Sequence, residues 1–93
     1  MQLVWSPGFS RKLKRILRQN PQVKSQIEQT LERLAFDPFD PRLGTHKLKG
    51  DLVDRWSCSV SYSDRIIFQF VENPETTEAE ILLLTLGSHD DVY

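Results

Sequence analysis

The chain has 93 residues, 39% of them apolar and 27% charged, with a formal net charge of −1 and one cysteine, Cys58. That length holds one small core, so residues 1–93 are read as a single domain. A lone cysteine excludes an internal disulfide and a CxxC zinc site, and no run of about 18 apolar residues exists that could cross a membrane.

The near-neutral charge conceals a polarity along the chain. Residues 1–50 carry ten Lys/Arg against four Asp/Glu, whereas residues 51–93 carry only Arg55 and Arg65 against nine acids. A basic half suits a nucleic-acid backbone. A solvated helix face balanced by acidic loops fits the same count.

Gln2 to Trp5 reads as a first strand, and Trp5, Ser6 and Pro7 interrupt the N-terminal apolar stretch before it can form a signal-peptide core, so a cytoplasmic location is expected. Ser6-Pro7 matches an N-cap followed by proline in the first helical turn. Phe9, Leu13, Ile16 and Leu17 then form one apolar stripe, opposite Arg11, Lys12, Lys14, Arg15 and Arg18. Asn20-Pro21 breaks this helix. A second, from about Pro21 to Phe36, continues the period with Val23, Ile27, Leu31 and Leu34.

Asp37-Pro38-Phe39-Asp40-Pro41 cannot prolong the helix, and a loop is expected from there through Gly50. From Trp56 the period becomes two: Trp56, Cys58, Val60 and Tyr62 alternate with Ser57, Ser59, Ser61 and Ser63, which predicts a strand with one packed and one hydrated face. Ser63-Asp64 reads as a turn, Arg65 to Val71 as the next strand, and the apolar run Ile81 to Leu86 as a central strand covered on both faces. The expected class is α+β, with an N-terminal strand and helical hairpin packed on a mostly antiparallel sheet in the order β-α-α-β-β-β. Trp56, Phe68 and Phe70, at alternating positions, are expected in the core rather than as base-stacking platforms.

The ending Gly87-Ser88-His89-Asp90-Asp91-Val92-Tyr93 sets an imidazole between a glycine and two carboxylates directly after that strand. It is expected to deliver His89 and Tyr93 to a working surface; a solvated stop after a core strand is the alternative. His46, opening the sheet-forming half, Arg65 and His89 together suit metal-free phosphodiester cleavage. One imidazole takes the proton of an attacking 2′-hydroxyl, another group protonates the leaving 5′-oxygen, and the guanidinium stabilises phosphoryl charge. On spacing alone, His46 as a loop cap and Arg65 in a surface pair with Glu72 or Asp64 stay open. No metal or cofactor is expected, since the adjacent Asp90 and Asp91 would project to opposite sides of an extended segment and the chain has no helical ligand-pair spacing.

His46-x-Leu48-x-Gly50, Trp56-Ser57, Asp64-Arg65-Ile66-Ile67-Phe68 and Leu86-Gly87-Ser88-His89-Asp90-Asp91-Val92-Tyr93, in that order, resemble the RelE/ParE superfamily of toxin-antitoxin toxins, and most closely its YafQ/RelE-like mRNA interferase branch. The resemblance spans essentially the whole chain. It implies a RelE-like microbial RNase-type fold and a cytoplasmic endoribonuclease that cuts mRNA in the ribosome by 2′-hydroxyl attack. Its implied partners are a cognate antitoxin, the ribosome and mRNA, with operator DNA bound through the antitoxin and no membrane. It further implies catalytic roles for His46, Asp64, Arg65, His89 and Tyr93, and RNA contacts from Lys47, Lys49, Arg55, Ser57 and Ser59. The chain departs from the family where the strand lysines are replaced by Ser57, Cys58 and Ser59, where Val60 stands nearest a further histidine, and in its pI of about 6.1. Two other readings fit the resemblance: a ParE-like poison of DNA gyrase, and an inactive corepressor that only binds antitoxin.

Overall fold

The computed structural model describes residues 1–50 and 54–88. Strand β1 (Leu3–Trp5) leads into helix α1 (Pro7–Gln19), and a 3-10 turn (Pro21–Val23) connects α1 to helix α2 (Lys24–Phe36). A second 3-10 turn (Pro41–Leu43) precedes the two-residue strand β2 (His46–Lys47), followed by β3 (Trp56–Ser59), β4 (Asp64–Glu72) and β5 (Ala79–Ser88). The five strands form one sheet in the order β1-β5-β4-β3-β2, in which β1 runs parallel to β5 and all other neighbours are antiparallel. This is the expected α+β architecture with one addition, β2, inside the stretch read as loop.

The helices form where the apolar stripes require. The Ser6 hydroxyl accepts the Phe9 N–H at 3.0 Å, with Pro7 opening α1. The same hydroxyl donates to the Leu84 carbonyl at 3.1 Å, so the cap also ties α1 to β5. Phe9 and Leu13 of α1, and Ile27 and Leu34 of α2, are buried against Cys58, Ile66, Phe68, Ile81, Leu83 and Leu86 of the sheet. Each such side chain contributes about 1.5–3 kcal/mol of burial. Trp56 and Phe70 pack edge to face at 5.5 Å, half-buried, and Phe39 joins them from the loop after α2.

A bulge explains the apolar run in β5. Ile67 pairs with Thr85 but Phe68 pairs with Leu83, which leaves Leu84 without a cross-strand partner. Leu83 and Leu86, three residues apart, therefore both face the helices. The run is continuous because one of its residues is extra, as well as because the strand is central.

The alternation expected for β3 fails in two ways. Ser57 is fully buried instead of hydrated, and Tyr62 is fully exposed instead of packed. The strand stops at Ser59 because the chain already reverses there: the Asp64 carbonyl accepts from both Val60 and Ser61 N–H, and the Ser61 hydroxyl bonds the Asp64 carboxylate at 3.3 Å.

Candidate active site

The sheet face turned away from the helices is set by register. Cross-strand partners share a face, and residues two apart along a strand share it too. One row runs His46, Ser57, Ile67, Thr85, and the next runs Ser59, Arg65, Gly87. His46 and Arg65 thus lie on the same face on either side of β3, their Cα atoms roughly 12 Å apart by strand spacing and rise. That gap accommodates a phosphodiester between two long side chains.

The turn before β2 orients His46. Asp40 caps it by accepting the Arg42 N–H at 2.9 Å, and Leu43, 1% exposed, anchors it in the core. Gly44 closes it at φ 57, a left-handed conformation that L side chains resist. The Thr45 hydroxyl then donates to the Pro38 carbonyl at 2.6 Å, and His46 Nδ1 lies 3.1 Å from the Gly44 carbonyl. A carbonyl only accepts, so Nδ1 is the donor of this hydrogen bond, which orients an exposed ring. The local sequence Asp40-Pro41-x-x-Gly44 carries the signal, a cap, a proline and a terminal glycine, that would have revealed this turn.

Arg65 Nη1 donates to the Ser59 hydroxyl at 2.7 Å, which fixes one edge of the guanidinium over β3. The remaining N–H groups present a planar fork suited to phosphate oxygens. On the helix side of the same strand, burial pushes the Cys58 thiol up to about 12, opposed by a backbone hydrogen bond from Ile66 and by the charge of Arg65. It is therefore no nucleophile at neutral pH.

The structure does not bring every candidate to this face. Asp64 precedes Arg65 and so points to the opposite side, its carboxylate engaged with Ser61 in the β3–β4 turn. Ser57 shares the face but is buried. Lys47 pairs with Trp56 in the row of opposite parity, and Lys49 and Arg55 are exposed beyond the ends of β2 and β3. His89 and Tyr93, with Asp90 and Asp91, lie outside the described residues. Among the described residues, no group of three or more His, Cys, Asp or Glu is placed to hold a metal ion, and no helix is long and apolar enough to cross a membrane.

No protein-family model and no curated protein matches the chain. Solved structures do. A YoeB/ParE toxin from Agrobacterium tumefaciens superposes with a TM-score of 0.77 at 19% identity, covering 96% of this chain and 99% of that one. A metal-bound toxin from Helicobacter pylori gives 0.76 at 23% identity, covering 100% and 99%. The DinJ-YafQ complex of E. coli gives 0.77 at 12% identity, covering 99% and 97%. The chain has the fold of the RelE/ParE-superfamily toxins, YafQ-like members included.

Proposed function

We propose that the protein is the toxin of a type II toxin-antitoxin system: a ribosome-dependent, metal-independent mRNA endoribonuclease that inhibits translation and is neutralised by a cognate antitoxin. The observation that carries this reading is the pairing, on one face of a RelE/ParE-type sheet, of an arginine held by Ser59 with an exposed histidine oriented by the Gly44 carbonyl. A gyrase poison has no use for a phosphate fork opposite a basic imidazole.

His46 serves as the base for the 2′-hydroxyl, and Arg65 stabilises the charge that gathers on the phosphoryl oxygens. The leaving 5′-oxygen needs a proton. His89 supplies it in this reading, following Ser88 in the chain, with Tyr93 as a second donor or base support. Ser59 acts through Arg65, while Lys47, Lys49 and Arg55 add cationic contacts around the RNA. Asp64, engaged in its turn, acts on the shape of the β3–β4 connection rather than on the reacting atoms. The E. coli YafQ structure with DinJ supports a protein partner, and an antitoxin segment covering the Arg65 face would silence the site.

The test adds purified protein to translating ribosomes and maps mRNA ends by primer extension, with DNA supercoiling by gyrase assayed in parallel. Cleavage within the ribosome-bound message, relieved by the product of the neighbouring reading frame, is expected. Intact mRNA with inhibited supercoiling would replace this reading with the gyrase one.

A further inference from the structure

Helix α1 carries Arg11, Lys12, Lys14, Arg15 and Arg18 and no acidic residue. Among the described residues none of the five is in an ion pair; the two salt bridges there are Lys24–Glu28 and Arg42–Asp40. Arg11 and Arg15, and Lys14 and Arg18, are like charges at i,i+4 spacing, an arrangement that disfavours the helix in the free protein. Such repulsion is relieved when an anionic group is brought to the helix.

These cations line a groove of about 480 Å³ whose remaining walls are Gly8 and Thr85. Its position follows from the sheet. Strand β1 ends opposite Leu83, so among the described residues β5 has no strand on that side from Leu84 onward, and α1 approaches that edge closely enough that a Cβ on Gly8 would lie 3.4 Å from the Leu84 carbonyl. Thr85 is the cross-strand partner of Ile67 in the row that ends at His46, and it lies diagonal to Arg65, about 7–8 Å away. Thr85 is thus shared by the groove and by the strand row that holds the candidate active site. Along it, Arg11, Arg15 and Arg18 succeed one another at about one helical turn, 5.4 Å, a repeat that suits the phosphates of an extended strand.

We infer that the α1 groove binds the phosphodiester backbone of RNA, leading from Thr85 along Arg11, Arg15 and Arg18. The inference rests on the nuclease reading for its choice of RNA, but its test reads binding and not cleavage. A basic groove that shares Thr85 with a phosphate-handling row favours RNA over an acidic polypeptide, which would cover α1 without needing that shared residue.

The experiment compares the parent with Arg11→Gln/Arg15→Gln/Arg18→Gln, and with Lys24→Gln as a charge control on α2. Fluorescence anisotropy follows a labelled single-stranded oligoribonucleotide and, separately, isolated small ribosomal subunits, over a range of salt. A polyglutamate peptide is the competitor. The triple variant should melt at or above the parent temperature, because like-charge repulsion is gone. Its salt slope, log K against log salt, should be shallower by about 2, while Lys24→Gln changes neither. Loss with the oligonucleotide assigns the groove to the message, and loss with the subunit alone assigns it to ribosomal RNA. Unchanged affinity and slope with both RNAs would overturn the inference, as would loss of polyglutamate binding with RNA binding intact. If the protein proves not to cleave RNA, a slope that still depends on α1 leaves the groove assigned and removes only the nuclease.

Discussion

Arg65 and Ser59 are Cα partners on neighbouring strands, and the guanidinium donates to the hydroxyl at 2.7 Å. A neutral acceptor stands in this position, so the strand contributes orientation of the one arginine instead of additional charge.

Replacing that acceptor should lower the rate without unfolding the protein. Ser59→Ala is expected to reduce cleavage about 10- to 150-fold, from loss of a hydrogen bond to a charged group worth about 1.5–3 kcal/mol, with most of the effect in kcat. Ser59→Thr should restore most of the activity. Arg65→Ala should cost about 100- to 1,000-fold with a cooperative melt retained. Single-turnover cleavage beside a thermal melt reads both quantities.

His46 is exposed, so its replacement is expected to separate chemistry from stability. His46→Ala should lower cleavage about 100- to 10,000-fold and leave Tm nearly unchanged. Gly44→Ala should do the reverse in part. A Cβ there meets nothing nearer than the Ser59 hydroxyl at 3.7 Å, so its penalty is the left-handed backbone, about 1–2 kcal/mol. Gly44→Asn, which tolerates that conformation, should melt between the two.

Leu43 couples the core to the histidine. It is 1% exposed and lies one residue before Gly44. Leu43→Ala should destabilise by about 2–5 kcal/mol, measured by urea denaturation, and should weaken activity at temperatures where the protein is still folded, since the turn loses its anchor.

Stability should fall in alkali through Cys58. Burial raises the folded thiol to about 12 from its ordinary 9.0. The folded state therefore resists ionisation that the unfolded chain undergoes. The contribution is complete below pH 9 and lost as pH rises toward 12, by about 1.4 kcal/mol per pH unit while only the unfolded thiol ionises. Tyrosines and lysines titrate in the same range, so the parent is compared with Cys58→Ala, whose alkaline slope should be shallower. At the acid end, Arg42 holds Asp40 at about 2 against 3.8, so the cap of the turn before His46 is present above pH 3.8 and lost as pH falls toward 2.

Much of this fold was legible because its signals are local. The Ser6-Pro7 cap, the two apolar stripes and the break at Asn20-Pro21 each depend on residues within one turn of each other, and all three are observed. The β3 alternation misled because a period of two records which side a residue faces, not what covers it: Ser57 is buried on the far face and Tyr62 lies past the end of the strand. The bulge at Leu84 has no composition of its own; it shows only in the register of β4 against β5. For the site, Arg65 and His46 could be named from sequence, yet the row that places them on one face comes only from pairing register. Asp64 shows the limit from the other side, adjacent to Arg65 in sequence and opposite to it in space.

The central claim is that His46 and Arg65 carry a 2′-hydroxyl attack. End-group analysis of the RNA cut on programmed ribosomes tests it most directly, with the parent protein, His46→Ala and Arg65→Ala. The account predicts a 2′,3′-cyclic phosphate on the upstream fragment and a 5′-hydroxyl on the downstream one, both lost together in either variant. A 5′-phosphate on the downstream fragment, or an undiminished yield of cyclic phosphate from both variants, would contradict it.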